Sequence, residues 1–310
     1  MRIKQNLSKV LHSVAFGAGV SVRRAKSLAV GRILKFHGVG DDDYPEADFE
    51  SHLNFLTQNF SIVGIEEFVG KIANEITPTN EIVLTFDDGL RNNLTNAYPI
   101  LRRLKIPATF FVCPGLIENA RWLWTHEVRA RLKFICSRRD EFFSHWKQTA
   151  KNTEQFVGWM KQISLKMRNE VEEGLRELTP EFHPTPEQRK KYDLMNWDEL
   201  RSLDSSLITI GSHTVTHPIL PNLEPDELSF EIAASRKLLE EKLGRLVDYF
   251  CYPNGSHNQA VVKETRKNYR AAVSTEVGSV TSTSDLHCLP RIGIAPKLPL
   301  LAWRLHRPTA

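Results

Sequence analysis

Two short motifs place potential metal ligands after separate apolar segments. The first is Thr85-Phe86-Asp87-Asp88-Gly89, which puts two adjacent carboxylates after Ile82-Val83-Leu84. The second, about 125 residues later, is His213-Thr214-Val215-Thr216-His217, which puts two imidazoles four residues apart. One carboxylate and two imidazoles are a common ligand set for a catalytic divalent ion such as zinc, with a coordination position left for water or substrate. The other carboxylate is then free to act as a general base, so the two motifs predict metal-assisted hydrolysis.

Each motif taken alone has an ordinary structural interpretation. An Asp-Asp-Gly sequence is typical of a turn after a strand, and two histidines at this spacing also occur in cores and on surfaces. Two adjacent carboxylates, however, both stay ionised only when a cation lies nearby. Because the motifs follow two separate predicted strands, we favour a shared metal site formed by Asp88, His213 and His217.

Predicted strands and helices alternate along most of the chain, which indicates a parallel sheet. Polar residues at the C-terminal ends of strands are where a β/α barrel positions its chemistry. The predicted strands are 31–37, 61–63, 81–86, 108–113, 207–210, 249–252 and 271–274. The predicted helices between them include 48–59, 65–74, 96–104 and 225–243.

The stretch from about residue 116 to residue 192 differs from the rest of the chain. It is charged, helical in pattern and rich in aromatic residues, and it ends at Pro180, Pro184 and Pro186. We interpret it as a helical insertion over the barrel, within one domain that covers residues 31–310.

The net charge of +4 hides a basic N-terminal segment. Residues 1–40 hold eight Lys or Arg and no acidic residue, and apolar residues recur there at helical spacing: Leu7, Val10, Leu11, Val14 and Ala18. For residues 1–30, this pattern therefore predicts either an amphipathic helix that contacts an anionic membrane or a helix packed on the domain. A signal peptide is not favoured, because His12 and Ser13 interrupt the apolar stretch.

Composition narrows the class of protein. A chain of 310 residues that is 41% hydrophobic can bury a substantial core, and no apolar run is long enough for a transmembrane helix.

The four cysteines are scattered, so we expect reduced thiols and a cytoplasmic location, peripheral at the inner membrane face if residues 1–30 bind lipid. No nucleic-acid partner is expected.

Taken together, the motifs resemble those of the NodB-type polysaccharide deacetylases, carbohydrate esterase family 4. The sequence from Pro107 to Val112 resembles the strand after the first motif, and Phe250-Cys251-Tyr252-Pro253-Asn254-Gly255 resembles the third motif. The sequence Leu289-Pro290-Arg291-Ile292 resembles a fourth motif of one branch. The resemblance covers about residues 32–295 and implies a distorted, seven-stranded β/α barrel with a helical insertion.

The resemblance also implies roles for individual residues. Asp87 would be the general base, and one divalent ion, expected to be zinc, would bind to Asp88, His213 and His217. The backbone N–H of Asn254 would help to stabilise the tetrahedral oxyanion. Tyr252, Trp122 and Trp124 are candidates for contact with the sugar, although tryptophans in amphipathic helices more often belong to the core.

One departure from the family pattern concerns the partner of the base. Members often carry an arginine after the phenylalanine of the third motif, where it pairs with the base aspartate. Here that position is Cys251, which cannot supply the charge. We expect Arg291, which closes a late predicted strand, to replace it; the alternative is an ordinary surface arginine.

A second departure concerns the general acid, which the family usually takes from a Leu-x-x-His near the C-terminus. The late candidate here, His306, lies in what resembles a basic tail, residues 304–308, whereas Leu34-Lys35-Phe36-His37 is a Leu-x-x-His that ends the first predicted strand. A barrel is closed, so its first and last strands are neighbours. This permuted arrangement resembles the poly-N-acetylglucosamine deacetylases, and we expect His37 to protonate the leaving amine.

The sequence thus predicts a metal-dependent N-deacetylase. The expected substrate is an N-acetylated amino sugar in a glycan, a lipid-linked glycan or a nucleotide sugar. Two alternatives remain: an amide hydrolase that acts on a small non-sugar C–N substrate, and a glycan-binding pseudoenzyme. The complete set of Asp87, Asp88, His213 and His217 counts against the pseudoenzyme.

Overall fold

Eight strands, paired in parallel throughout, form the central sheet of the protein. A computed structural model describes residues 2–41 and 44–308, with side chains from residue 10 onward. The strand order is β7-β6-β5-β4-β3-β1-β8, and the short β2 lies beside the start of β3. The strands are β1 Arg32–Phe36, β2 Ser61–Ile62, β3 Glu81–Phe86, β4 Ala108–Val112, β5 Ile208–Ser212, β6 Tyr249–Cys251, β7 Ala271–Val273 and β8 Ile292–Gly293.

The sheet curls into a distorted barrel in which the first and last strands are neighbours. Leu34 of β1 pairs with Ile292 of β8. On the other side, the segment that leads into β8 bonds to β7: Ala272 N donates to Leu286 O at 2.8 Å, and Leu289 N donates to Ala272 O at 3.0 Å. Arg291 was expected to close a late strand. In the structure it lies just before β8, which starts at Ile292.

Helices cover the outside of the sheet, and seven of the described helices, α6–α12, lie between β4 and β5. The described helices are α1 Arg2–Gly17, α2 Val20–Ser27, α3 Glu46–Asn59, α4 Ile65–Ala73, α5 Tyr98–Leu104, α6 Pro114–Glu118, α7 Trp124–Phe134, α8 Arg139–His145, α9 Thr153–Met160, α10 Leu165–Leu178, α11 Pro186–Tyr192, α12 Trp197–Arg201, α13 Pro225–Ser229, α14 Ser235–Leu243, α15 Gln259–Asn268 and α16 Leu298–Arg304. Helices α7–α10 bury a small apolar core of their own, which includes Trp124, Val128, Phe156 and Leu175.

Side chains alternate between the two faces of each strand, as the pleat requires. Leu34 and Leu84 pack into the core between sheet and helices, whereas Ile33 and Val83 pack inside the barrel. The inward face continues through Lys35 to His37 on one strand and through Thr85 to Asp87 on its neighbour. Polar inward residues therefore collect at the C-terminal end of the barrel.

Helices α1 and α2 pack against α16 toward the opposite end of the barrel. The rings of His12 and Trp303 lie 5.0 Å apart, and the buried Arg32 donates from Nε to Leu305 O at 2.6 Å. Leu301 and Leu305 are fully buried, so the segment predicted to be a basic tail, residues 304–308, does not extend freely: it follows directly on the packed helix α16, and Leu305 anchors it to the core. No helix in the described part of the chain is long and apolar enough to cross a bilayer.

Candidate active site

A polar cavity of about 350 Å³ opens at the C-terminal ends of the strands. It brings together side chains from separate predicted strands, namely His37, Asp87, Asp88, His213, His217 and Asn254. A larger cavity of about 580 Å³ lies among α6, α7, α10 and α13 and contains none of these residues. We place the chemistry in the smaller cavity, because the convergent titratable groups are there.

Asp88, His213 and His217 form a compact donor set. Asp88 Oδ1 lies 3.5 Å from His213 Nε2 and 3.6 Å from His217 Nε2, and one donor atom of each residue falls within 4.8 Å of the others. His213 Nδ1 donates to Cys251 O at 2.7 Å, which directs Nε2 toward the carboxylate. Such an outer hydrogen bond is how proteins orient metal-binding imidazoles. The residues therefore fit a divalent ion.

The backbone at this site is held in a conformation that side chains rarely adopt. Asp88, Thr214, His217 and Asn254 have φ values of 75°, 69°, 59° and 54°. Positive φ in residues with a Cβ costs about 1–3 kcal/mol each and is retained mainly where function requires it. Gly89, with φ 70°, completes the turn without that cost.

The loop that carries both histidines is fixed by its surroundings. His217 N donates to Thr214 Oγ1 at 2.9 Å, and Thr216 donates to Glu231 from N at 2.9 Å and from Oγ1 at 2.6 Å. Trp124 Nε1 donates to His217 O at 3.1 Å. These contacts hold the imidazoles in place before any ligand binds.

Asp87 is the partner of Arg291. The guanidinium donates two parallel hydrogen bonds to the carboxylate, from Nη1 to Oδ1 at 2.7 Å and from Nη2 to Oδ2 at 2.8 Å. It also donates to Thr85 Oγ1 at 3.0 Å and to Ser274 O at 2.7 Å. Cys251, which occupies the arginine position of the third motif, lies with its Sγ 3.5 Å from Asp87 Oδ1. The expected pairing of Arg291 with Asp87 is present, and neither residue is on the surface.

Electrostatics keep both aspartates ionised. Burial raises the pKa of Asp87, but the charge of Arg291 and its hydrogen bonds outweigh burial and hold this pKa well below its usual range. Burial likewise raises the pKa of Asp88, and the hydrogen bond to His213 together with nearby imidazoles lowers it further than burial raises it. Burial lowers the pKa of His217 to about 3, so this imidazole is neutral and its nitrogens can bind a metal.

The two candidate acids lie at opposite ends of the barrel. His37 follows β1 and lines the catalytic cavity. His306 packs against Trp303, with ring centroids 5.0 Å apart, and its neighbours include Arg32 at the start of β1. Of these two histidines, His37 is therefore the one that can reach a substrate held near Asp88.

Three candidates for sugar contact are not brought to the catalytic cavity. Trp124 is buried and donates to the backbone of the histidine loop, and Trp122 Nε1 donates to Asp193 Oδ1 at 2.7 Å. Tyr252 is fully buried, with its hydroxyl donating to His287 O at 2.8 Å. Since their polar atoms are satisfied inside the protein, we assign none of the three to substrate contact.

Four further titratable residues line the cavity, and none of them was singled out from the sequence: Lys35, His126, Arg129 and Lys161. Strand alternation gives a signal for Lys35, which stands two residues before His37 on the inward face. Burial lowers the pKa of His126 to about 4, so its ring is neutral at pH 7. His126, Arg129 and Lys161 come from the α7–α9 region, and no local sequence pattern places them in the cavity. Their position depends on how these helices dock on the barrel.

Asn254 occupies the turn after β6. The following N–H groups are used inside the turn, from Gly255 to Tyr252 O at 2.8 Å and from Ser256 to Pro253 O at 3.0 Å. The Asn254 N–H donates to no backbone carbonyl in the described part of the chain. This N–H is the one that the third motif predicts for the oxyanion.

Comparisons with known proteins agree with the geometry. Residues 74–272, more than half of the chain, match the family described as polysaccharide deacetylase. The protein YxkH of Bacillus subtilis (strain 168), provisionally named a polysaccharide deacetylase, is 22% identical over 270 residues, which are 85% of this chain and 71% of that protein.

Solved structures show the same fold. The deacetylase PplD of Streptococcus pyogenes, in complex with acetate, has a TM-score of 0.61 at 19% identity and covers 89% of this chain and 97% of its own. IcaB of Ammonifex degensii has a TM-score of 0.59 at 17% identity, with the same two coverages. The predicted NodB-like barrel is thereby confirmed. The chain belongs to the polysaccharide deacetylase family, whose members are hydrolases that act on carbon–nitrogen bonds of sugar substrates.

Proposed function

We propose that the protein is a metal-dependent N-deacetylase that removes acetyl groups from an N-acetylated amino sugar. The observation that carries this proposal is the buried cluster of Asp88, His213 and His217, with the ionised Asp87 beside it. A donor set of one carboxylate and two imidazoles suits zinc, which we propose as the native ion. The ion would polarise the amide carbonyl and supply a water of lowered pKa.

The residues of the chain would divide the proton transfers between them. Asp87 accepts a proton from the attacking water through a lone pair that Arg291 does not use, since an ionised carboxylate has about four acceptor sites. The Asn254 N–H donates to the developing oxyanion. His37, on the open side of the cavity, gives a proton to the leaving amine. Release of acetate leaves a free amine on the sugar.

The test combines metal analysis with acetate release. We expect one zinc ion per chain in the wild-type protein and in Asp87→Asn, and loss of the ion in His213→Ala. Asp87→Asn should release acetate from N-acetylated sugars roughly 10²–10⁴-fold more slowly, because the amide cannot accept a proton. A metallated Asp87→Asn variant with normal turnover would contradict the proposed base.

The same assay separates the alternative activities. An amide hydrolase for small non-sugar substrates would open imide or ureide rings and leave acetylated sugars intact. A glycan-binding pseudoenzyme would bind sugars without releasing acetate. The family match and the complete donor set support the deacetylase over both.

We also propose that α1 and α2 attach the enzyme to an anionic membrane from the cytoplasmic side. Val10, Leu11 and Val14 are 62%, 53% and 63% exposed, so this face of α1 is not covered by the domain. No acidic residue occurs before Asp41, and Arg23 and Arg24 are exposed nearby. An apolar helix face beside basic residues suits an anionic lipid surface. Leu7 belongs to the predicted apolar pattern, but its side chain lies outside the described part.

A further inference from the structure

The catalytic cavity carries more positive charge than a neutral acetamido sugar requires. Lys35, Arg129 and Lys161 line it together with Asp87 and Asp88. Arg291 already neutralises Asp87, and Asp88 belongs to the proposed metal site. Both carboxylates that line the cavity are thus paired with other groups. The positive charge of Lys35 and Lys161 therefore remains uncompensated by them.

Lys161 is one of the cations that remain available in the cavity. It follows α9, and its Nζ donates to Asn254 Oδ1 at 2.8 Å without an ion pair to any carboxylate in the described part of the chain. Its backbone carbonyl accepts from Asn222 Nδ2 at 2.9 Å, which ties it to the loop after the second histidine. Lys161 is therefore held between the turn that contains Asn254 and the loop that follows His217, unlike a surface lysine that has no such contacts.

Arg129 lies beside Lys161 on the same side of the cavity. It makes a two-pronged ion pair with Glu154, with both contacts at 2.7 Å, and donates to Thr125 O at 3.2 Å. Its charge is close enough to contribute to the lowered pKa of Lys161, for which burial is the larger cause. Arg129 is thus fixed beside Lys161, and Glu154, which matches the charge of Arg129, also lies near the lysine.

Lys35 supplies positive charge from the barrel side. It lies on the inward face of β1, two residues before His37, and makes no side-chain hydrogen bond to a carboxylate in the described part. In the described part of the chain, neither Lys35 nor Lys161 makes a hydrogen bond or a close ion pair with a carboxylate. Two such positive charges match a dianion better than a single negative charge.

Building on the proposed deacetylase, we propose that the substrate is an N-acetylated sugar that carries a phosphate group and that Lys161 binds this phosphate. Lysine and arginine are the usual phosphate ligands of proteins, and hydrogen bonds between ionised partners are about twice as strong as neutral ones. A nucleotide sugar and a lipid-linked sugar share this chemistry. The binding energy of the phosphate would position the acetamido group near Asp87 and Asp88.

The experiment measures kcat/KM for acetate release from N-acetylglucosamine 1-phosphate and from its neutral counterpart, the methyl glycoside. We expect a preference of roughly tenfold to a hundredfold for the phosphate, which shrinks as salt rises. Lys161→Gln should reduce this preference, and Lys161→Arg should keep most of it. Lys166→Gln, which changes an exposed lysine at the start of α10, is the matched control and should leave both rates unchanged.

Two further substrates distinguish the source of the phosphate. Faster acetate release from uridine diphosphate N-acetylglucosamine would indicate a nucleotide sugar, and faster release from a polyprenyl diphosphate N-acetylglucosamine would indicate a lipid-linked one. Equal rates for the phosphate and the methyl glycoside, or an equal loss of both in Lys161→Gln, would overturn the phosphate site and leave the deacetylase intact.

Failure of the deacetylase itself would look different. In that case no sugar releases acetate, and calorimetry with N-acetylglucosamine 1-phosphate decides the phosphate site separately. Binding by the wild type that weakens in Lys161→Gln but not in Lys166→Gln would support the site. Equal binding by all three proteins, or none, would refute it.

Discussion

At the scale of single residues, the ion pair between Arg291 and Asp87 controls the proposed base. Both side chains are almost completely removed from solvent, at 1% and 3% exposure. A buried charge that loses its partner is destabilising by about 3–5 kcal/mol. Arg291 also fixes the direction of the carboxylate through two contacts, so it acts as a positioning residue for the base. Arg291 approaches from the segment before β8 and passes close to Cys251, at 3.2 Å from its Sγ.

We predict that Arg291→Gln shifts the acidic limb of the kcat/KM profile to higher pH. Burial, which raises the pKa of Asp87, is then no longer opposed by the guanidinium. The pKa of Asp87 is lower in the folded protein than in the unfolded chain, so this residue stabilises the fold at a pH above its pKa in the unfolded chain. The stabilisation is lost as the pH falls through the pKa of Asp87 in the folded protein. Urea unfolding at pH 7 should show the loss in Arg291→Gln.

The exposed Arg102→Gln on α5 is the matched control for this substitution. It removes the same charge without touching Asp87 and should change neither the pH profile nor the unfolding midpoint. An unchanged acidic limb in a folded Arg291→Gln protein would show that Asp87 does not depend on this arginine.

We predict that His37→Ala slows amide cleavage by roughly 10²–10⁴-fold, because the leaving amine then lacks its proton donor. An activated ester, whose leaving group needs no proton, should be affected far less. His306→Ala should change neither reaction, since His306 packs on Trp303 at the other end of the barrel. Equal losses on amide and ester in His37→Ala would indicate a structural role instead.

At the scale of elements, the loop between β5 and α13 depends on contacts made by its neighbours. Glu231, in the π-helical turn 230–234 between α13 and α14, accepts from both donors of Thr216. Trp124 of α7 bonds to the carbonyl of His217. The strained backbone at Thr214 and His217 persists because these elements hold it from two sides.

We predict that Glu231→Ala weakens zinc binding by roughly 10–100-fold, the usual effect of removing a residue that orients metal ligands. Thr216 loses its acceptor, and the loop relaxes away from positive φ. Competition with a chelating dye measures the affinity. Glu241→Ala, an exposed position on α14, is the control and should bind zinc like the wild type. Unchanged affinity in Glu231→Ala would show that the loop holds its shape without this carboxylate.

At the scale of the whole molecule, the N-terminal helices α1 and α2 have one side packed on the domain and one side exposed to solvent. Ser21 and Ala25 are fully buried, and Phe16 packs against Phe55 with ring centroids 5.7 Å apart. The exposed face of α1 points away from these contacts. Since part of the segment belongs to the packed structure, substitutions on the exposed face test membrane binding more cleanly than removal of the segment.

We predict that Leu11→Ser combined with Val14→Ser lowers binding to vesicles of anionic phospholipid by more than roughly tenfold, because two apolar side chains no longer enter the lipid surface. Cosedimentation measures the bound fraction. Leu246→Ser, at a position that is 75% exposed in the turn after α14, is the control and should bind normally. Equal binding by all three proteins would contradict the proposed membrane contact and leave the catalytic assignments unaffected.

Part of this site was predictable because its chemistry is local in the sequence. Asp87, Asp88, His213 and His217 are recognised from residue type, spacing and the apolar segments before them. The parallel barrel follows from the alternation of strands and helices, since strand C-termini must then share one edge. His37 could be placed from the closure of the barrel, which pairs β1 with β8.

Only the tertiary structure decided the contacts between distant segments. The exact approach of Arg291 to Asp87 joins residues 204 apart in the chain. Lys161 reaches the cavity because the helices between β4 and β5 dock over the barrel mouth, and the tryptophans turn inward for the same reason. The sequence by itself determined which groups can bind a metal and transfer protons. Packing, which depends on the shape of all neighbouring elements at once, decided which cations, hydrogen bonds and strained turns surround them.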